Sequence, residues 1–109
     1  MSYDVDLRIS TGGTVSHIVW NANITSNLQP MFQIALPGDG GLNSLNDAKA
    51  GDVAPAVLAA ADHMDADPHT YTPLNPANGW GSYDIARKWL RELGEACQDN
   101  PLCTIDVSS

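Results

Sequence analysis

The residues that most restrict the fold are 3–9, where apolar and polar side chains alternate without a break. Tyr3, Val5, Leu7 and Ile9 fall on one face, and Asp4, Asp6, Arg8 and Ser10 on the other. A period of two fits a strand with one buried and one wet face. Thr11-Gly12-Gly13-Thr14 follows, a turn signal because glycine reaches positive φ at little cost. From Val15 to about Ile24 the alternation returns. The even positions Ile18, Trp20, Ala22 and Ile24 form the apolar face, and the odd positions His17, Val19, Asn21 and Asn23 a mostly polar one. Together these runs predict an antiparallel hairpin over residues 3–24.

Beyond the hairpin the period changes to that of a helix. Leu28, Met31, Phe32, Ala35 and Leu36 make one helical stripe, with Ser26 or Asn27 as cap and Pro30 tolerated in the first turn. Pro37-Gly38 ends this helix, and residues 38–51, rich in Gly, Asn and Asp, read as loop. A second helix is expected from Asp52 as N-cap, burying Val53, Val57, Leu58, Ala61 and Met64. Residues 65–81 hold three prolines and two glycines and read as a long irregular segment. A third helix begins at Ser82. Asp84 favours its positive end, Ile85, Ala86, Trp89, Leu90 and Leu93 face the core, and Arg87, Lys88 and Arg91 face out. Asn100-Pro101 stops it, and Cys103, Ile105 and Val107 alternate with Thr104 and Asp106 as a short last strand. The expected fold is α+β: an N-terminal hairpin, three α-helices and a C-terminal strand, with the helices packed on one face of a small sheet. The 109 residues, 43% hydrophobic, fit one domain spanning 1–109.

Thirteen acidic against five basic residues leave a net charge of −8. Such a surface repels phosphates and anionic lipid, which argues against direct nucleic-acid or membrane binding and fits a partner protein with a basic surface. The opening residues carry acid where a signal peptide carries a basic end, so a cytoplasmic location is expected. Cys97 and Cys103 are spaced C-x5-C, unlike zinc or redox motifs, and are expected as buried thiols, with a disulfide as the alternative. No catalytic or cofactor motif is recognisable.

Two groups of residues are candidates for ligand binding. Asn21 and Asn23 share a strand face, with Thr25 continuing the row and Asn27 near the next helix start; their amides offer donors and acceptors without charge. Asn78, Gly79, Trp80, Gly81 and Ser82 lead into the third helix, where exposed backbone N–H groups can hold a small anionic ligand and Trp80 can stack on a ring. The alternatives are a solvated sheet face and a loop with a tryptophan plug. His63, Asp65, Asp67 and His69 form H-x-D-x-D-x-H, but they straddle a helix end and a proline-containing loop, and no metal site is expected there.

The opening Met1-Ser2-Tyr3-Asp4 and the run Asn23-Ile24-Thr25-Ser26-Asn27-Leu28-Gln29-Pro30-Met31-Phe32 resemble a family of small uncharacterised actinobacteriophage proteins with an N-I-T-x-N-x-x-P-x-F motif. The Gly41-Leu42-Asn43-Ser44-Leu45 loop and the Pro/Asn-rich approach to the last helix add to the likeness. This chain has a shorter first hairpin and two histidines around Asp65 and Asp67 that the family lacks. The resemblance implies a phage accessory protein, with any shared site at Asn23, Thr25 and Asn27, and carries no activity. The expected function is non-enzymatic binding that inhibits or redirects a host protein of defence or nucleic-acid processing. Sequestering a small-molecule or nucleotide signal, or neutralising a toxin, are the alternatives.

Overall fold

A computed structural model describes residues 2–10, 15–38 and 40–109. Strands β1 (Ser2–Ser10) and β2 (Ser16–Thr25) pair antiparallel as the alternation requires, and β3 (Thr104–Ser108) pairs antiparallel with the other side of β1, giving the order β2-β1-β3. The expected turn at 11–14 lies outside the described residues. Val5, Leu7, Ile24 and Ile105 are buried beneath the helices, while Asp4, Asp6 and Arg8 lie on the opposite, open face of β1. The fold is therefore α+β, with helices on one face of an antiparallel sheet.

One part of the β2 alternation fails. Leu7 pairs with Trp20, but the next residue, Arg8, pairs with Ile18, so Val19 is a bulge. An extra residue inverts the face of everything beyond it. Ile18, assigned to the core by strict alternation, is carried to the Arg8 side and is 52% exposed.

Helix α1 (Gln29–Ala35) follows a 3-10 turn at Ser26–Leu28 and buries Leu28, Met31, Phe32 and Leu36. Neither Ser26 nor Asn27 caps α1: Leu28 stands at its N-cap without a side-chain bond, and Thr25 caps the 3-10 turn, its hydroxyl accepting the Asn27 N–H at 3.4 Å. Gln29, a buried polar residue, ties this helix to its surroundings. Its Nε2 donates to Tyr3 Oη and the Gly40 carbonyl, both at 3.2 Å, and its Oε1 accepts the Leu42 N–H at 3.1 Å. Gly41 has φ 57°, and a Cβ there would fall 2.4 Å from Gln29 Oε1, so the position needs glycine for both conformation and space.

Helix α2 (Ala50–Ala66) starts earlier than the sequence suggests, and Asp52 lies in its first turn rather than at the cap. Its first N–H groups are satisfied from elsewhere in the chain: Ala50 N–H donates to the Cys103 carbonyl at 2.8 Å and Gly51 N–H to the Pro101 carbonyl at 2.9 Å. Ala54, Val57, Ala60, Ala61 and Met64 are buried, whereas Val53 and Leu58 are half-buried. The segment expected to be irregular contains a short helix, α3 (Pro68–Tyr71), and a 3-10 turn at Thr72–Leu74, so the described residues form one α-helix more than expected. Helix α4 (Tyr83–Asp99) begins where expected, with Ser82 Oγ accepting the Ile85 N–H at 3.3 Å. Its buried face holds Ala86, Trp89, Leu90, Leu93 and Cys97, but Ile85 is 50% exposed, contrary to its expected place in the core. Cys97 and Cys103 are free, buried thiols, and burial pushes the Cys97 thiol up to about 11, which keeps it protonated and a poor nucleophile. Among the described residues, no helix is long and apolar enough to cross a membrane.

The α2 start packs tightly on the turn before β3. A Cβ on Gly51 would lie 2.8 Å from Pro101 Cβ and 2.9 Å from its carbonyl oxygen. Helix propensity alone favours alanine over glycine by up to ~1 kcal/mol. The backbone contact reverses the sign, and Gly51→Ala is expected to lower stability by about 1–3 kcal/mol in a denaturant titration. A stabilised variant would show that this contact yields easily.

Candidate functional site

The two candidate groups lie at different places on the molecule, joined only at one corner. Asn21 and Asn23 stand on the open sheet face opposite Asp6 and Asp4. Asn21 Nδ2 donates to Asp6 Oδ1. Asn23 Nδ2 donates to Asp4 Oδ1 at 2.8 Å and to Ser2 Oγ at 3.1 Å. Arg8 continues the network, with Nη2 3.1 Å from Asp6 Oδ2 and Nε 3.4 Å from Asp106 Oδ2 on β3. The asparagines therefore have a structural task. They hold carboxylates across adjacent strands without adding charge, which explains why residues of poor strand propensity occur here.

Thr25 and the Asn78–Ser82 turn do meet. Gly81, at φ 99°, leaves no room for a side chain, since a Cβ there would lie 2.9 Å from Thr25 Cγ2 and 3.0 Å from Leu28 Cδ1. Asn27 is exposed nearby in sequence, and its backbone rather than its amide is engaged by Thr25. The turn is held by its own asparagine: Asn78 Oδ1 accepts the Trp80 N–H at 2.9 Å, leaving the Trp80 side chain 69% exposed. Three N–H groups at the start of α4 have acceptors within the chain. Tyr83 N–H donates to Asn75 Oδ1 at 2.8 Å, Ile85 N–H to Ser82 Oγ, and Ala86 N–H to the Ser82 carbonyl at 2.9 Å.

Three residues of the H-x-D-x-D-x-H run, His63, Asp65 and Asp67, are likewise engaged in other contacts. His63 Nδ1 meets Tyr71 Oη at 2.5 Å, and Thr70 Oγ1 donates to Asp67 Oδ2 at 2.5 Å. Asp65 and Asp62 bind α4: Arg91 Nη2 lies 2.7 Å from Asp62 and 2.8 Å from Asp65, and Arg87 reaches both Asp65 (3.3 Å) and Asp84 (2.9 Å). Arg87 and Arg91, expected to face out, are half-buried in this α2–α4 contact. Burial pushes the Tyr71 hydroxyl up, and its ring stacks on Tyr83 at 6.1 Å. Tyr83 in turn donates to the Met64 carbonyl and carries Arg87 over its ring at 5.9 Å. This aromatic column was not evident from the sequence, because Tyr71 falls in a stretch that reads as loop.

A feature unforeseen from the sequence lies along β2. The outer edge of β3 is covered by the chain: Ile105 N–H donates to the Ala48 carbonyl and Asp47 N–H to the Ile105 carbonyl, both at 2.8 Å, while Val107 N–H donates to Asn46 Oδ1 at 2.8 Å. The outer edge of β2 has no backbone partner among the described residues. The turn before α4 packs on Thr25 through Gly81, and Trp20 lines a groove of 360 Å³ with Glu92, Glu95, Ala96, Asp99 and Asn100 of α4 and its C-cap. Val15 and Val19, with Ile18, leave the hairpin end of the strand exposed. A sequence signal existed, since β2 carries no Lys, Arg, Asp, Glu or Pro, the residues that usually guard an edge.

The hydrogen bond from Arg91, offset in part by desolvation and reinforced by Arg87, holds the Asp65 carboxyl below its usual range. A depressed carboxyl contributes stability above its unfolded pKa of about 4, and that contribution is lost as pH falls through the folded value. The denaturation midpoint should fall as the pH drops below about 4, and Asp65→Asn should flatten that acid limb. Because Asp65 is partly exposed, the difference should be at most ~1 kcal/mol. An unchanged slope would show that the pairs are fully screened.

No family model matches the chain, and neither a curated protein nor a solved structure matches it.

Proposed function

We propose that the protein is a non-enzymatic phage accessory protein that works by binding another protein, inhibiting or redirecting a host factor of defence or nucleic-acid processing. The observation that supports this over small-molecule capture is where the polar groups are spent. The Asn21 and Asn23 side chains bind Asp6 and Asp4, and the N–H groups of Tyr83, Ile85 and Ala86 have acceptors within the chain. At the asparagine row a small ligand would have to displace bonds already made. By contrast, the features left without partners among the described residues include a strand edge, exposed Trp80 and Ile85, and the carboxylates of Glu92, Glu95 and Asp99. These suit a protein partner with a basic surface, and the net charge of −8 speeds its encounter.

The acidic residues to test are not Asp62 and Asp65, which hold α2 to α4, but Glu92, Glu95 and Asp99. The tagged protein, expressed in an actinobacterial host and crosslinked there, is expected to capture a specific protein. The Glu92→Lys/Glu95→Lys/Asp99→Lys variant should lose that capture by tenfold or more, whereas Asn21→Ala/Asn23→Ala should retain it. If the asparagine variant loses capture and the charge-reversed one keeps it, the binding surface is the open sheet face instead.

A further inference from the structure

We propose that β2 is a docking edge for an extended partner segment carrying Lys or Arg at alternate positions, which joins the sheet as a fourth strand. This rests on the protein-binding reading above and names the chemistry of the partner. The sheet has one closed and one open edge. Residues 46–51 occupy the outer side of β3 and the turn before it, whereas β2 spans ten residues with no backbone partner on its outer side among the described residues. A strand laid there meets the free N–H and C=O groups of every second β2 residue.

Charge complementarity selects the side chains. A strand added to β2 points alternate residues toward the helical side of the sheet, where Trp20 meets α4. There the groove presents Glu92, Glu95 and Asp99, and none of the three has a hydrogen bond or ion pair within the described residues. Glu95 and Asp99 are one helical turn apart, about 6 Å along the axis. Side chains two residues apart on a strand are separated by about 6.5–7 Å, a similar spacing, so two basic residues of the incoming segment can each meet a carboxylate. Their aliphatic stems would cover the half-buried Trp20 ring. On the opposite side the intervening residues meet the polar, uncharged amides of Asn21 and Asn23, already fixed by Asp6 and Asp4. A second copy of this chain fits less well, because it would bring a further −8 charge to the same edge.

The test uses a blocked octapeptide alternating Lys and Thr, with calorimetry on the intact protein. Binding is expected, weakened about tenfold in Glu92→Gln/Glu95→Gln/Asp99→Asn and weakened further by salt. Two N-methylated peptides, one modified at the lysines and one at the threonines, report the backbone contact. One set faces β2 and should abolish binding, and the other should leave it intact. Equal binding by both would overturn strand addition in favour of charge contact alone. No binding by the parent peptide, or a stable dimer through β2 in sedimentation, would also overturn it. If the peptide fails while Glu92→Lys/Glu95→Lys/Asp99→Lys still loses its cellular partner, the protein-binding reading stands and strand addition alone falls.

Discussion

The backbone hydrogen bonds between residues 46–51 and the chain around β3 hold this fold in its arrangement. Asp47 and Ala48 bond Ile105, Ala50 bonds the Cys103 carbonyl and Gly51 the Pro101 carbonyl. These contacts do three things together. They satisfy the first N–H groups of α2, so that helix starts without a side-chain cap. They fix the C-terminal strand, which is only five residues long, against the centre of the sheet. They also close one sheet edge, so that the functional question falls on the other. Gly51 is glycine because the two segments approach too closely for a side chain.

The sheet divides its charges in a way that follows from that topology. With β1 in the centre, Asp4 and Asp6 are reached from β2 by Asn23 and Asn21, and Asp6 is also tied through Arg8 to Asp106 on β3. This open face is polar and internally bonded. Two acids of α2 are used in the same manner, with Asp62 and Asp65 held by Arg91 and Arg87. Much of the protein's acidity thus has a structural partner, and three carboxylates free for an external one, those of Glu92, Glu95 and Asp99, gather on the α4 face beside Trp20.

Much of this was legible in the residues. The alternation of residues 3–9 and 103–107, the stripes of the three longer helices and the Ser82 cap all mark their elements to within a few positions. What was not legible depends on long-range contacts. The Val19 bulge reverses the face of Ile18 through pairing with β1, which a single strand does not reveal. The start of α2 is fixed by carbonyls fifty residues away in sequence, so the local cap signal at Asp52 misplaces it. Tyr71 is buried by α3, a turn that prolines and threonines disguise as loop. At the candidate site, the asparagine row and the turn before α4 were identifiable as unusual, but their internal partners were not. The open edge was visible only as a run without charges.

Residue-resolved amide hydrogen exchange on the free protein tests most directly the claim that one sheet edge is closed by the chain itself and the other left open. The Ile105 and Val107 amides, which point away from β1 to Ala48 and Asn46, should be protected along with the core. In β2, alternate amides should exchange at close to unprotected rates, and those between them, bonded to β1, should exchange slowly. Protection of every β2 amide in a monomer would mean that edge is already covered, and would contradict the account.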